Sequence, residues 1–405
     1  MNGASRAAQA VARASHARLV ALLAARTRDL AAAEDALAEA FRAALETWPT
    51  RGVPDNPEAW LLTTARRTLG HAARHLGVRQ AALPALAQLA EEAEARAQAA
   101  IPDERLALLF VCAHPAIAEA DRAPLMLQAV LGLDAARIAG PFLVAPATMG
   151  QRLSRAKARI RDAGLAFAVP EPSELPARLD NVLEAIYAAY GSGWDAIDGA
   201  DPRRRGLAEE ALWLARLTAE LLPDQAEALG LAALLLHCEA RRPARRDAEG
   251  RFVPLAQQDF SRWDRAMLAE AEALLGRAAA LGQLGKFQLE AAIQSLHATS
   301  LVAGKAAPNA LVALYAGLLA VAPSLGAAVG HAAALAEAAG AEAGLARLEA
   351  LAGAASYQPA WALRAHLLAR LGRSAAAREA FTQAMGLTED KAVREFLAAR
   401  QAEIG

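Results

Sequence analysis

The stretch Gly132–Arg161, GLDAARIAGPFLVAPATMGQRLSRAKARIR, decides how the chain is read. It divides into a short segment, a turn and a longer segment, and each carries a helix signal. Gly132 ends the apolar run Leu125–Leu131 and suits the left-handed residue that closes a helix. Asp134 stands where it caps a short helix over Ala135–Phe142. Pro146 occupies a position that a helix start tolerates. In the longer segment Leu153, Ala156 and Ile160 recur at helical spacing and mark a buried stripe. Arg152, Arg155, Lys157, Arg159 and Arg161 stand there against one acid, Asp162. Short helix, tight turn and basic second helix is the layout of a helix-turn-helix. Its positive charges suit phosphates, and Thr148, Gln151 and Arg152 at the helix start are placed for base edges. A basic face turned to water is the plainer reading of the charges, and the capped short helix and turn in front of it weigh against that.

Outward from this stretch, helical periodicity continues and no run of alternating β-branched residues interrupts it, so the chain reads as all-α. The 405 residues are 55% hydrophobic and rich in alanine, the best helix former. That length accommodates two or three domains. Net charge is -1, which excludes a polybasic nucleic-acid binder and leaves only local basic patches. Two cysteines, Cys112 and Cys238, exclude a disulfide framework or a Cys-based zinc site, and both sit in apolar runs. The N-terminal arginines are spread evenly with no apolar core of a leader, which argues for a cytoplasmic protein. Ala306–Ala336 carries no charge, yet Pro308, Pro323 and Ser324 interrupt it; two buried helices meeting at Pro323-Ser324 are expected rather than a membrane span.

Three breaks organise the chain. Val53–Pro57 is a turn with Asn56 as N-cap and Pro57 as first helical residue. Gln80–Ala100 is a loose Ala/Glu/Gln linker, and Val169–Pro176 is a stiff, proline-rich junction. The C-terminal half reads as helical hairpins. Leu371-Gly372 followed by Ala376, Ala380, Phe381 and Ala384 matches the tetratricopeptide (TPR) pattern, and Gly340 precedes Gly372 at nearly that period. Leu284-Gly285 with Phe287 hints at a further hairpin.

No catalytic constellation emerges: phosphate-binding loops, zinc-protease motifs and nucleophile elbows in strand context are absent. Gly191-Ser-Gly-Trp194 is read as a helix-ending turn. His114, His237, His297 and His366 read as satisfied core histidines, and Arg203–Arg205 and Arg241–Arg246 as solvated basic loops. No cofactor and no metal are expected.

A second basic region, Trp60–His75, contains Arg66, Arg67 and Arg74, and it follows an acidic amphipathic helix with Glu34, Asp35 and Glu39. The order Glu34-Asp35-Ala-Leu-Ala-Glu39-Ala-Phe41, Trp48-Pro49 and Pro57-Glu-Ala-Trp60-Leu-Leu-Thr-Thr-Ala-Arg66-Arg67 resembles region 2 of extracytoplasmic-function (ECF) sigma factors. Gln151-Arg152-Leu-Ser-Arg155-Ala-Lys157 resembles their region 4. The strings Leu221–Gly230, Ala240–Arg245 and Asp259–Asp264 are similar to the subgroup with a C-terminal TPR-like domain.

That resemblance implies a sigma region 2 domain at 1–82, a linker at 83–100, a region 4 helix-turn-helix at 101–168, a junction at 169–178 and a TPR-like array at 179–405. It implies core RNA polymerase and promoter DNA as partners, with a regulatory protein or peptide at the C-terminal domain. Glu34, Asp35 and Glu39 would face polymerase. Arg66, Arg67 and Arg74 would lie near the -10 element, and Thr148, Gln151, Arg152, Arg155, Lys157 and Arg159 near the -35 element. Three departures fall on the DNA side: Gly70–His75 where the family carries a denser Arg cluster, Gly140-Pro141 in the first helix of the helix-turn-helix, and Gly150 in the second. They open the alternative of a sigma-like interaction module with weak or no promoter activity.

Overall fold

This alanine-rich chain forms eighteen α-helices among the described residues, with no strand; aspartate, asparagine or serine caps start some of them and glycines end others. The computed structural model describes residues 3–75, 104–139, 142, 144–194 and 202–404, with side chains except at 3–14, 71–75, 192–194 and 202–207. Contacts divide the chain into two compact units, the first running to Ala211 and the second starting at Leu212.

The first unit holds α1 (Gly3–Thr27), α2 (Leu30–Arg51), α3 (Pro57–His75), α4 (Arg105–Cys112), α5 (Glu119–Leu131), α6 (Ala135–Ala139), α7 (Pro146–Asp162) and α8 (Leu175–Trp194), and α9 (Pro202–Leu221) begins in it. The expected caps are in place, Asn56 Oδ1 accepting from Ala59 N at 3.0 Å and Asp134 Oδ1 from Arg137 N at 2.8 Å, and Asp29 Oδ1 adds a further one by accepting from Ala32 N at 3.1 Å. Gly132 closes α5 at φ 67°, a conformation that favours glycine. The short helix is described over Ala135–Ala139, and Phe142, its expected last residue, lies in a turn. Residues 140 and 141 themselves, and the linker 83–100, lie outside the described residues.

In α1 every residue from Leu19 to Ala24 is buried, so the helix is packed on all sides over that stretch. It lies against α2 and α3 and also against α4 and α5. Glu58 at the start of α3 binds Ser15 and Arg18 of α1, and Trp48 of α2 meets Trp60 of α3 edge-on at 5.6 Å. After the proline-rich stretch the chain returns to the same body: α8 packs on α4 and α5 through Leu179, Leu183 and Ile186. Arg178 donates to the Phe110 carbonyl at 3.1 Å, and Arg122 to Asn181 Oδ1 at 2.5 Å.

The second unit is built around α10 (Ala226–Arg241), buried along nearly its whole length and packed on α11 (Arg265–Ala280) and α12 (Lys286–Ala303). Glu227 caps α12 from outside, its two carboxylate oxygens accepting from Phe287 N at 2.9 Å and Gln288 N at 3.0 Å. Gly285 and Gly230 make room for this approach. A Cβ on Gly285 would stand 2.2 Å from the Glu227 carboxyl carbon, and one on Gly230 would stand 2.7 Å from Gln288 N. The Arg241–Arg246 segment is not a solvated loop. Arg241 is buried, Arg242 pairs with Glu239 at 2.5 Å and Arg246 pairs with Asp390 at 2.6 Å. Phe252 against Phe396, at 5.5 Å, carries the same attachment to α18 (Lys391–Ala402).

Between these lie α13 (Pro308–Val321), α14 (Leu325–Ala339), α15 (Ala341–Glu349), α16 (Gln358–Arg370) and α17 (Ser374–Gly386), each packed on its successor in the chain. The uncharged segment splits at Pro323-Ser324 as expected, with Ser324 capping α14. Among the described residues no helix is long and apolar enough to cross a membrane. The expectation of two buried helices holds for α14 only: in α13 Leu318 alone is buried. His237 is fully buried but not satisfied; neither ring nitrogen has a hydrogen bond.

Two measurements follow from this packing. Glu227→Ala removes two bonds to helix N–H groups and is expected to lower the stability of the second unit by about 1–2 kcal/mol in chemical denaturation. Gly285→Ala, which drives a methyl into the same carboxylate, should lower it too. The second concerns His16 and His237, whose burial pushes each imidazole down to about 4. A base depressed below its unfolded value of about 6.5 adds stability above that pH and loses it as pH falls towards 4. Taking the wild type from pH 7 to 4.5 is expected to cost about 2.5 kcal/mol for each histidine. His16→Leu and His237→Leu should each remove one share of that dependence.

Candidate nucleic-acid and polymerase interface

On α7 the sequence produces three separate surfaces. Met149, Leu153, Ala156 and Ile160 are buried, as a 3.6-residue repeat requires. Thr148, Gln151, Arg155 and Arg159 form an exposed row on the other side, at spacings of three, four and four. The flanks between these rows are ion-paired. On one flank Arg152 donates to Asp121 Oδ1 and to the Ala120 carbonyl, both at 2.6 Å. On the other, Lys157 binds Glu34 of α2, and Arg161 lies 4.0 Å from Asp29.

The six residues placed on the helix-turn-helix therefore divide. Thr148, Gln151, Arg155 and Arg159 are open to a ligand, with two positive charges and two hydrogen-bonding side chains in one line. Arg152 and Lys157 are engaged inside the protein, at the junctions with α5 and α2.

The acidic helix divides in the same way. Asp35 is exposed. Glu39 is held by Arg42, whose hydrogen bond keeps its carboxyl below the usual carboxylate range, and Arg42 also reaches Glu46 at 2.5 Å. Glu34 is covered. Burial pushes its carboxyl above the usual range, against the opposing pull of Lys157. On α3, Arg67 is exposed and Arg66 half-buried, while the side chains of Arg74, His71 and His75 lie outside the described set. Among the described residues no group of three His, Cys, Asp or Glu side chains is arranged to hold a metal ion.

The Lys157–Glu34 and Arg152–Asp121 pairs have no local signal, because their members stand 123 and 31 residues apart. The one trace of the first in the sequence is that Lys157 is the single lysine of residues 1–285.

Residues 11–77 match the family Sigma-70 region 2, and residues 178–279 match a family of unknown function, DUF6596. Sigma-70 region 2 implies binding of core RNA polymerase and promoter DNA, and sigma factors are transcription factors rather than enzymes. No solved structure matches the chain significantly. An uncharacterized protein of Rhizobium meliloti (strain 1021) is 36% identical over 368 residues, covering 89% of this chain and 87% of its own. The chain therefore belongs to one family with that Rhizobium meliloti protein, and it carries at its N-terminus the Sigma-70 region 2 of a sigma factor in transcription initiation.

Proposed function

We propose that this protein is an ECF-type sigma factor that directs promoter-specific initiation, with a C-terminal TPR-like helical domain that regulates it or binds a protein partner. The domain limits are those drawn from the sequence: region 2 to residue 82, region 4 over 101–168, and the helical domain from 179. The observation that carries the reading is the exposed row Thr148, Gln151, Arg155 and Arg159 on a basic second helix that follows a short helix capped by Asp134, in a chain with a Sigma-70 region 2 near its N-terminus. In this reading the row enters the major groove at the -35 element. Arg66, Arg67 and Arg74 serve the -10 element, and Asp35 and Glu39 face polymerase, with Glu34 beside them. Arg152 and Lys157 hold the reading helix in place rather than touch bases.

The second reading, a sigma-like interaction module with weak promoter activity, is favoured by one observation. Gly140-Pro141 and Gly150 fall on the two helices of the helix-turn-helix, where glycine and proline disfavour helix.

Substitution on α7 tests this division of labour. Arg155→Ala and Arg159→Ala should each weaken binding to a promoter fragment and lower the salt slope by about 1, with stability unchanged. Arg152→Ala should instead lower stability in denaturant, because it leaves Asp121 unpaired in a partly buried junction. Run-off transcription with core polymerase separates the two readings: promoter-specific transcripts are expected, and polymerase binding without transcripts would establish the interaction module.

A further inference from the structure

We infer that the second unit holds a binding site for a small aliphatic zwitterion, a free α-amino acid or a short peptide with both ends free, in the cavity between α9 and α11. The site goes beyond the promoter reading and does not depend on it.

The cavity has a volume of about 480 Å³, within the range of small-molecule sites. Helical spacing builds two walls for it. Arg216 and Glu220 lie on one face of α9, four residues apart, and Glu270, Leu274 and Arg277 lie on one face of α11 at spacings of four and three. At one end the walls are tied together. Arg216 donates to both carboxylate oxygens of Glu270, at 2.8 and 2.5 Å. This two-bond pair is neutral as a whole and fixes the separation of the helices there. At a rise of 1.5 Å per residue, Glu220 stands about 6 Å beyond the pair along α9 and Arg277 about 10 Å beyond it along α11.

That end of the cavity is lined by an acid and a base that do not meet. Glu220 and Arg277 are both exposed, and neither side chain makes a hydrogen bond or an ion pair among the described residues. The rest of the lining is apolar: buried Ala219, half-buried Leu274, and Pro223 just after α9.

These groups select the occupant. An anion is attracted by Arg277 and repelled by Glu220, and a cation the reverse, so a singly charged molecule gains little. A zwitterion gives its carboxylate to Arg277 and its ammonium to Glu220, both as charge-assisted hydrogen bonds. Its aliphatic part then covers Leu274 and Ala219. The Arg216–Glu270 bridge spans the two walls, which favours a short occupant over a continuous protein segment.

Equilibrium dialysis of the full-length chain against L-leucine and L-leucyl-L-leucine tests the site. At least one is expected to bind with a Kd of about 1 mM or tighter, and the tighter of the two identifies the source. N-acetyl-L-leucinamide keeps the side chain without either charge and should not bind. N-acetyl-L-leucine and L-leucinamide, with one charge each, should bind about tenfold more weakly. Glu220→Gln and Arg277→Gln, at exposed positions, should each weaken the better probe about tenfold while the melting temperature of the unliganded protein stays unchanged. Retention of neither probe overturns the site. So does affinity that survives both substitutions, or an uncharged derivative that binds as well as L-leucine.

Discussion

The burial of α1 on all sides is the constraint from which the first unit is built. A surface helix shows water one polar face, and a helix with six consecutive buried residues has none to show. It therefore needs two layers, which here are α2 with α3 on one side and α4 with α5 on the other. The segment that matches Sigma-70 region 2 thus shares its core with the helices that precede α6 and α7. The remaining contacts follow from this. Once α1 joins the two layers, α2 and α7 come close enough for Glu34 to meet Lys157, and α8 closes the far side of α4 and α5.

The second unit solves its packing problem by a different device. Its central helix α10 is mostly Ala, Leu and Gly, so neighbouring backbones approach closely, and their unpaired N–H groups then need acceptors. Glu227 supplies two acceptor oxygens to the start of α12, and Gly230 and Gly285 supply the space. One short string, Glu227-Ala-Leu-Gly230, thus contains both the cap and the gap. Gly344, whose missing side chain admits Ala336 and the Ala332 carbonyl, repeats the device between α14 and α15.

Much of the fold was legible because its signals are local. Asn56 and Asp134 cap helices within three residues of themselves, and Gly132 stops one, so boundaries could be read from neighbours alone. The buried stripe of α7, Leu153, Ala156 and Ile160, was equally visible in its spacing. What escaped was non-local. Arg246 looked solvated until Asp390, far along the chain, proved to be its partner. The half-exposure of α13 could not be read from a segment that is apolar all round, because composition does not say which neighbours exist. In the candidate site, the engagement of Arg152 and Lys157 depends on where Asp121 and Glu34 are carried by the fold. Helical spacing names the face of a side chain but never its distant partner.

The choice of cation at each position fits the same distinction. Arginine presents a planar fork that binds two acceptors, and Arg152 uses it that way, with Asp121 and the Ala120 carbonyl. Lysine is a compact point charge on a flexible stem, suited to a single acceptor at the end of a narrow approach. The chain has only four lysines, and the one in its first 285 residues stands at the buried contact with Glu34. Near-neutral net charge then has a structural meaning. Several of the positive charges near the candidate interface are matched by acids inside the protein, as Arg152 is by Asp121 and Lys157 by Glu34, while Arg155 and Arg159 lie exposed along one line of α7. DNA affinity from so few charges is modest by counterion release alone, since each phosphate contact contributes a slope of about one. A protein with this distribution binds DNA strongly only together with a partner that brings charge of its own, as a subunit of a polymerase does.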